Sequence, residues 1–122
     1  MFNFNALDIA YKIVNGYKVK TFFKLIIVKG IKKQFYKTFA EFISTHSFIS
    51  LIELNVLYGA LLKLGYLDAK IKRCAYLVVK EVIEKVEDEF VADLLKSVNY
   101  LVENDAIDSE MKAKILQIIM SS

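Results

Sequence analysis

The sequence predicts an all-α fold, a compact bundle of five to seven helices around one central apolar helix at residues 48–64. Three observations predict it. The chain has no proline and only four glycines in 122 residues, too little turn punctuation for a β-rich fold. Apolar residues recur at helical spacing along most of its length. One stretch, Phe48 to Leu64, is apolar on nearly every side, the pattern of a helix that others cover.

Leu7, Ala10, Tyr11 and Val14 repeat at helical spacing, with Asn5 placed as N-cap. Asn15-Gly16 then stops the helix, since both residues tolerate the left-handed conformation. A rival reading starts at Tyr11. There, two four-residue runs flank Asn15-Gly16 as in a β-hairpin with a two-residue turn. The helical spacing begins earlier, at Leu7, which favours the helix without removing the hairpin.

Lys18 to Ser44 reads as helix with one interruption. Val19, Phe22, Phe23 and Ile26 mark one apolar face, and Ile31, Phe35, Phe39 and Phe42 mark another. The two faces do not align on a continuous helix, so a kink or break is expected near Val28–Gly30. Thr45-His46-Ser47 is a polar break, and Ser50 with Glu53 matches a capping box for the apolar helix that follows. Gly59 within that helix either lets another helix approach closely or only costs a little stability, and Gly65 reads as its C-cap, with Tyr66-Leu67 folding back.

Asp68 reads as the cap of the next helix, whose buried stripe is Ile71, Cys74, Ala75, Val78, Val82 and Val86. Glu81 and Lys85 stand at the spacing of a favourable surface pair. Glu87-Asp88-Glu89 is a break or an acidic first turn. Val91, Leu94, Leu95, Val98, Leu101 and Val102 predict one amphipathic helix ending at Asn104-Asp105. Asp108 or Ser109 caps the last helix, with Met111, Ile115, Ile118 and Ile119 inward. The plan of Leu51–Val79 is echoed in Val91–Ile119, which two successive helical hairpins explain.

One domain spanning residues 1–122 is expected, with a basic N-terminal segment, 1–40. That length buries roughly two-thirds of the unfolded surface, enough for a core without staples. Hydrophobic residues make up 56 % of the chain, and mean hydropathy is +0.38. Both exceed what a lone core of this size hides and point to a buried partner interface or a membrane-contacting surface. The apolar runs are cut by Lys24, Lys29, Glu53 and Lys63, so no spanning helix is expected. Met1–Val14 lacks a basic start and a small-residue cleavage site, and a lone cysteine forms no internal disulfide. A cytoplasmic location is the expectation.

Charge is split along the chain. Eight lysines against Asp8 give the first forty residues a net +7, and nine basic against thirteen acidic residues give the rest −4. No acid lies between Asp8 and Glu41. Lys18, Lys20, Lys24, Lys29, Lys32, Lys33 and Lys37 alternate with Phe22, Phe23, Phe35, Tyr36 and Phe39. These lysines are the candidate polyanion- or partner-binding residues. Lysine attracts phosphate, and exposed aromatics stack on single-stranded bases. The aromatics also fit a helix core, and the segment lacks the arginine favoured for bidentate contacts.

Nothing resembling a catalytic set is visible, so no enzyme, cofactor or metal is expected. His46 is the single histidine, which excludes a histidine-based triad or multi-histidine metal site within one chain. It reads as a loop residue or as a pH-sensitive contact. Cys74 reads as a buried small hydrophobe, although Lys70 and Arg73 are near enough in sequence to activate an exposed thiol. The four glycines stand alone, which argues against a phosphate-cradling loop. The acids around residues 87–93 and 105–110 lack the alternation of a calcium loop and suit helix caps. The expected function is a small non-enzymatic protein-interaction or structural module that self-associates, a basic face meeting an acidic one. A nucleic-acid-binding protein using residues 18–37 is the first alternative, and a membrane-surface module the second.

Overall fold

The computed structural model describes residues 5–86, 88–104 and 107–121. Among them are seven α-helices and no strand: α1 (Ala6–Val14), α2 (Lys24–Thr45), α3 (Phe48–Leu64), α4 (Ala69–Lys85), α5 (Asp88–Ser97), α6 (Asn99–Asn104) and α7 (Ser109–Met120), with a 3-10 turn at Thr21–Phe23 leading into α2. The all-α bundle expected from the sequence is what forms.

The first segment is helix, not hairpin. Asn5 Oδ1 accepts from the N–H groups of Leu7 at 3.0 Å and Asp8 at 3.3 Å, filling two donors that the first turn leaves open. At the other end Gly16 takes φ +103°, and the Tyr17 N–H returns to the Lys12 carbonyl at 2.8 Å.

The expected interruption near Val28–Gly30 is absent, because α2 runs unbroken from Lys24 to Thr45. The break lies earlier. Residues 17–20 have no regular structure and Thr21–Phe23 form the 3-10 turn. Val19, Phe22 and Phe23 therefore never belonged to the helix whose phase they seemed to contradict, and Ile26 faces outward. The true buried stripe of α2 is Ile27, Val28, Ile31, Phe35, Thr38 and Phe42, one consistent helical face. His46 ends α2 in the left-handed region at φ 52°. Its Nε2 lies 2.9 Å from Glu81 Oε2, while Glu81 Oε1 receives Lys85 at 3.1 Å. His46, then Lys85, holds the Glu81 carboxyl below the usual carboxylate range.

Helix α3 is central, as its all-round apolarity predicts. It packs against α1, α2, α4 and α6, and every residue from Leu54 to Leu61 is buried. Its cap is Ser47 rather than Ser50. The Ser47 side chain accepts from the Ser50 N–H, and Ser50 is itself buried inside the helix. Gly59 does mark a close approach. A Cβ there would stand 2.5 Å from the Tyr100 ring of α6. Gly65 caps α3 at φ 80°, and the Tyr66 N–H bonds the Leu61 carbonyl at 2.9 Å.

Asp68 caps α4 through the Ile71 N–H at 2.9 Å and also receives Lys32 Nζ of α2 at 2.7 Å. The Lys32 ammonium first, then the Ile71 amide, holds its carboxyl below the ordinary range. The α4 stripe is buried as expected from Ile71 to Val82, but Val86 falls past the helix end and is half-buried. Burial pushes the Cys74 thiol up, outweighing the nearby Lys70 charge.

The single helix expected over 91–102 is two, α5 and α6, parted at Val98. The cause lies in α3. Asn55 Oδ1, on a residue 8 % exposed, accepts from the N–H groups of Tyr100 at 2.8 Å and Leu101 at 3.2 Å. A side chain from a distant helix thus caps a new N-terminus, which a continuous helix would not present. Tyr58 of α3 holds the far end of α6, donating to the Asn104 carbonyl at 2.6 Å. Asp108 caps α7 through the Met111 N–H at 2.8 Å, and α7 packs on α5 with Ile115 buried. Glu87 and Asp105, expected to mark breaks, lie outside the described residues.

Candidate interaction surfaces

The seven candidate lysines do not form one surface. Lys32 is tied to Asp68 within the chain. Lys24 lies half-buried with its Nζ 5.3 Å from the centre of the Tyr66 ring, a cation–π contact. Lys18, Lys20, Lys29, Lys33 and Lys37 are exposed and make no ion pair among the described residues. On α2, Lys29, Lys33 and Lys37 repeat every fourth residue and so share one outward ridge.

The aromatics between them are mostly not free to stack on bases. Phe35 is fully buried, and Phe23, Tyr36 and Phe39 are half-buried. Lys70 Nζ also covers the Tyr36 ring at 4.7 Å. Phe22, 86 % exposed, is the exception. Leu25 and Ile26 follow it one turn later at 68 % and 53 %. Phe22 in the 3-10 turn and Leu25 and Ile26 in the first turn of α2 that directly follows it make an exposed apolar ridge at the entry to α2.

Beside that ridge, the loop after α1 and the end of α3 enclose a cleft of about 500 Å³ lined by Lys18, Lys24 and Lys63 among others, with no acid in the lining among the described residues. Lys63 Nζ also donates to the Val14 carbonyl at 2.8 Å, satisfying the end of α1. Lys63 carries no signal in the sequence. It is the one basic residue of an apolar helix, and the packing of α1 on α3 brings it to Lys18 and Lys24.

A second surface was not foreseen. The start of α3 and the α4–α5 junction bound an apolar groove of about 390 Å³ lined by Phe48, Val86, Phe90, Asp93, Leu94 and Ser97. Phe48 and Phe90 remain about half exposed, and Ile49 beside them is 68 % exposed. These residues belong to separate segments and share no local pattern. A third hollow along α4 collects Lys72, Arg73 and Lys80, with Asp108 at its wall.

Among the described residues no three or more His, Cys, Asp or Glu are grouped to hold a metal ion, and no helix is long and apolar enough to cross a membrane. No family model, curated protein or solved structure matches the chain.

Proposed function

We propose that this protein is a non-enzymatic interaction module that associates with a second copy of itself through the groove between α3 and α5. The observation that carries the reading is the groove, with Phe48 and Phe90 left about half exposed beside Val86 and Leu94, and Asp93 and Ser97 at its wall. Half-buried rings in a concave apolar patch are the usual anchors of a protein interface. The apolar composition supports it too, since 56 % hydrophobic residues exceed what a lone core of this size needs. The net positive charge of residues 1–40 and the net negative charge of the rest would steer encounter and orientation more than affinity. Light scattering at micromolar concentration is expected to give at least a dimer mass. Phe90→Glu, which places a charge on the groove wall without touching a buried core position, is expected to return the mass to that of a monomer. A monomeric wild-type mass across the accessible range overturns the reading.

A further inference from the structure

We propose that the corner formed by the loop before α2, the first turn of α2 and the end of α3 docks onto an anionic phospholipid surface. The inference rests on a different face from the α3–α5 groove and does not depend on self-association.

Three features converge there. Phe22, Leu25 and Ile26 are the exposed large apolar residues at the entry to α2, with Phe22 at 86 %. Exposed apolar side chains among unpaired lysines suit insertion into the headgroup and acyl boundary of an anionic surface. Exposed lysines flank the ridge in sequence, Lys18 and Lys20 before and Lys29 and Lys33 after, none ion-paired among the described residues. Long lysine stems let the ridge sink while the ammonium groups stay at headgroup level. Beside the ridge, the cleft of about 500 Å³ presents Lys18, Lys24 and Lys63 without an acid in its described lining. A phosphate headgroup fits that chemistry.

The absence of arginine from residues 18–37 and the burial of Phe35 fit a diffuse phosphate plane better than base recognition. The groove of a second copy is a poorer match for this corner. The one acid in its lining, among the described residues, is Asp93, which leaves most of the lysines without a counter-charge.

The test uses flotation with vesicles of phosphatidylcholine alone and of phosphatidylcholine with phosphatidylserine, at low and physiological salt. The chain has no tryptophan, so Phe22→Trp gives a single reporter of burial. Wild type is expected to float only with the phosphatidylserine vesicles, less so as salt rises. The indole emission of the Phe22→Trp variant is expected to shift to the blue on the same vesicles. Neutralising Lys20, Lys29 and Lys33 to Gln should weaken binding about a hundredfold, since each lysine near an anionic surface contributes roughly fivefold. Phe22→Ser with Leu25→Ser should also abolish flotation while circular dichroism stays unchanged. Lys72→Gln with Lys80→Gln, on the separate α4 hollow, should float as wild type. Phe90→Glu should still float, which separates this proposal from the groove reading.

The proposal is overturned if wild type ignores phosphatidylserine vesicles at low salt. It is overturned equally if the lysine or ridge variants bind as wild type, or if the indole emission of Phe22→Trp does not move. Binding of a DNA duplex or single strand that the triple lysine variant loses, without vesicle binding, would assign the corner to nucleic acid. A ridge variant that lowers the solution mass, again without vesicle binding, would assign it to a second copy.

Discussion

Asn55 is a buried polar residue whose one side-chain oxygen serves two amides of another helix. An amide donor sealed from water without an acceptor costs about 1–3 kcal/mol. Asn55→Ala is therefore expected to lower unfolding stability by ~1–3 kcal/mol in urea titration. Hydrogen exchange should quicken at Tyr100 and Leu101 before it does in the centre of α3. Equal protection at those two amides in the variant would show that water replaces the cap. Cys74 lies on the buried stripe of α4, and burial raises its thiol above the ordinary value. The thiolate is the reactive form. The expected outcome is no labelling by an aromatic disulfide reagent in native protein and full labelling in denaturant. Fast native labelling would mean that α4 opens locally.

At the scale of elements, the helices are set by their ends. Asn5, Ser47, Asp68 and Asp108 each accept an amide of the first turn. Asp68 does more than cap, because Lys32 binds the same carboxylate and ties α2 to α4. Its folded-state pKa is depressed, so its contribution is fully present above the unfolded carboxylate value. That contribution is lost as pH falls through the lower folded value. Asp68→Asn is expected to cost about 1 kcal/mol or less near neutral pH, since the amide still caps and the ion pair is partly exposed. The difference between variant and wild type should vanish in acid, and urea midpoints measured from neutral pH down through the carboxylate range check it. A difference that persists in acid would place the effect in packing rather than in charge.

For the whole molecule, the split of charge along the sequence becomes a split among roles. Lys32 pairs with Asp68, the cap of α4, at the partly exposed α2–α4 contact, Lys24 lies over Tyr66, and Lys63 joins Lys18 and Lys24 from the far end of α3. Neutralising all the α2 lysines together would therefore confuse a structural ion pair with a binding surface. The informative variants leave Lys32 in place. Two exposed apolar features, the ridge at the start of α2 and the groove beside α5, then stand on separate elements. One can be altered without the other.

The class of fold, the central place of α3 and most helix ends were legible in the residues alone. Those features follow from local periodicity, from capping side chains within a few residues of the amides they serve, and from glycines at left-handed turns. Gly59 was legible only as one of two readings, a close contact or a small stability cost, and its partner Tyr100 came from the structure. The rest came from packing. The break at Val98 is caused by Asn55, whose oxygen reaches amides far along the chain, and no local pattern encodes that distance. The false break near Gly30 arose because Val19, Phe22 and Phe23 look helical by spacing but sit in a loop and a tight turn. Which lysines are free, and which apolar side chains stay in water, depends on what packs beside them. That is a property of helices meeting across the core, and periodicity along one helix does not contain it.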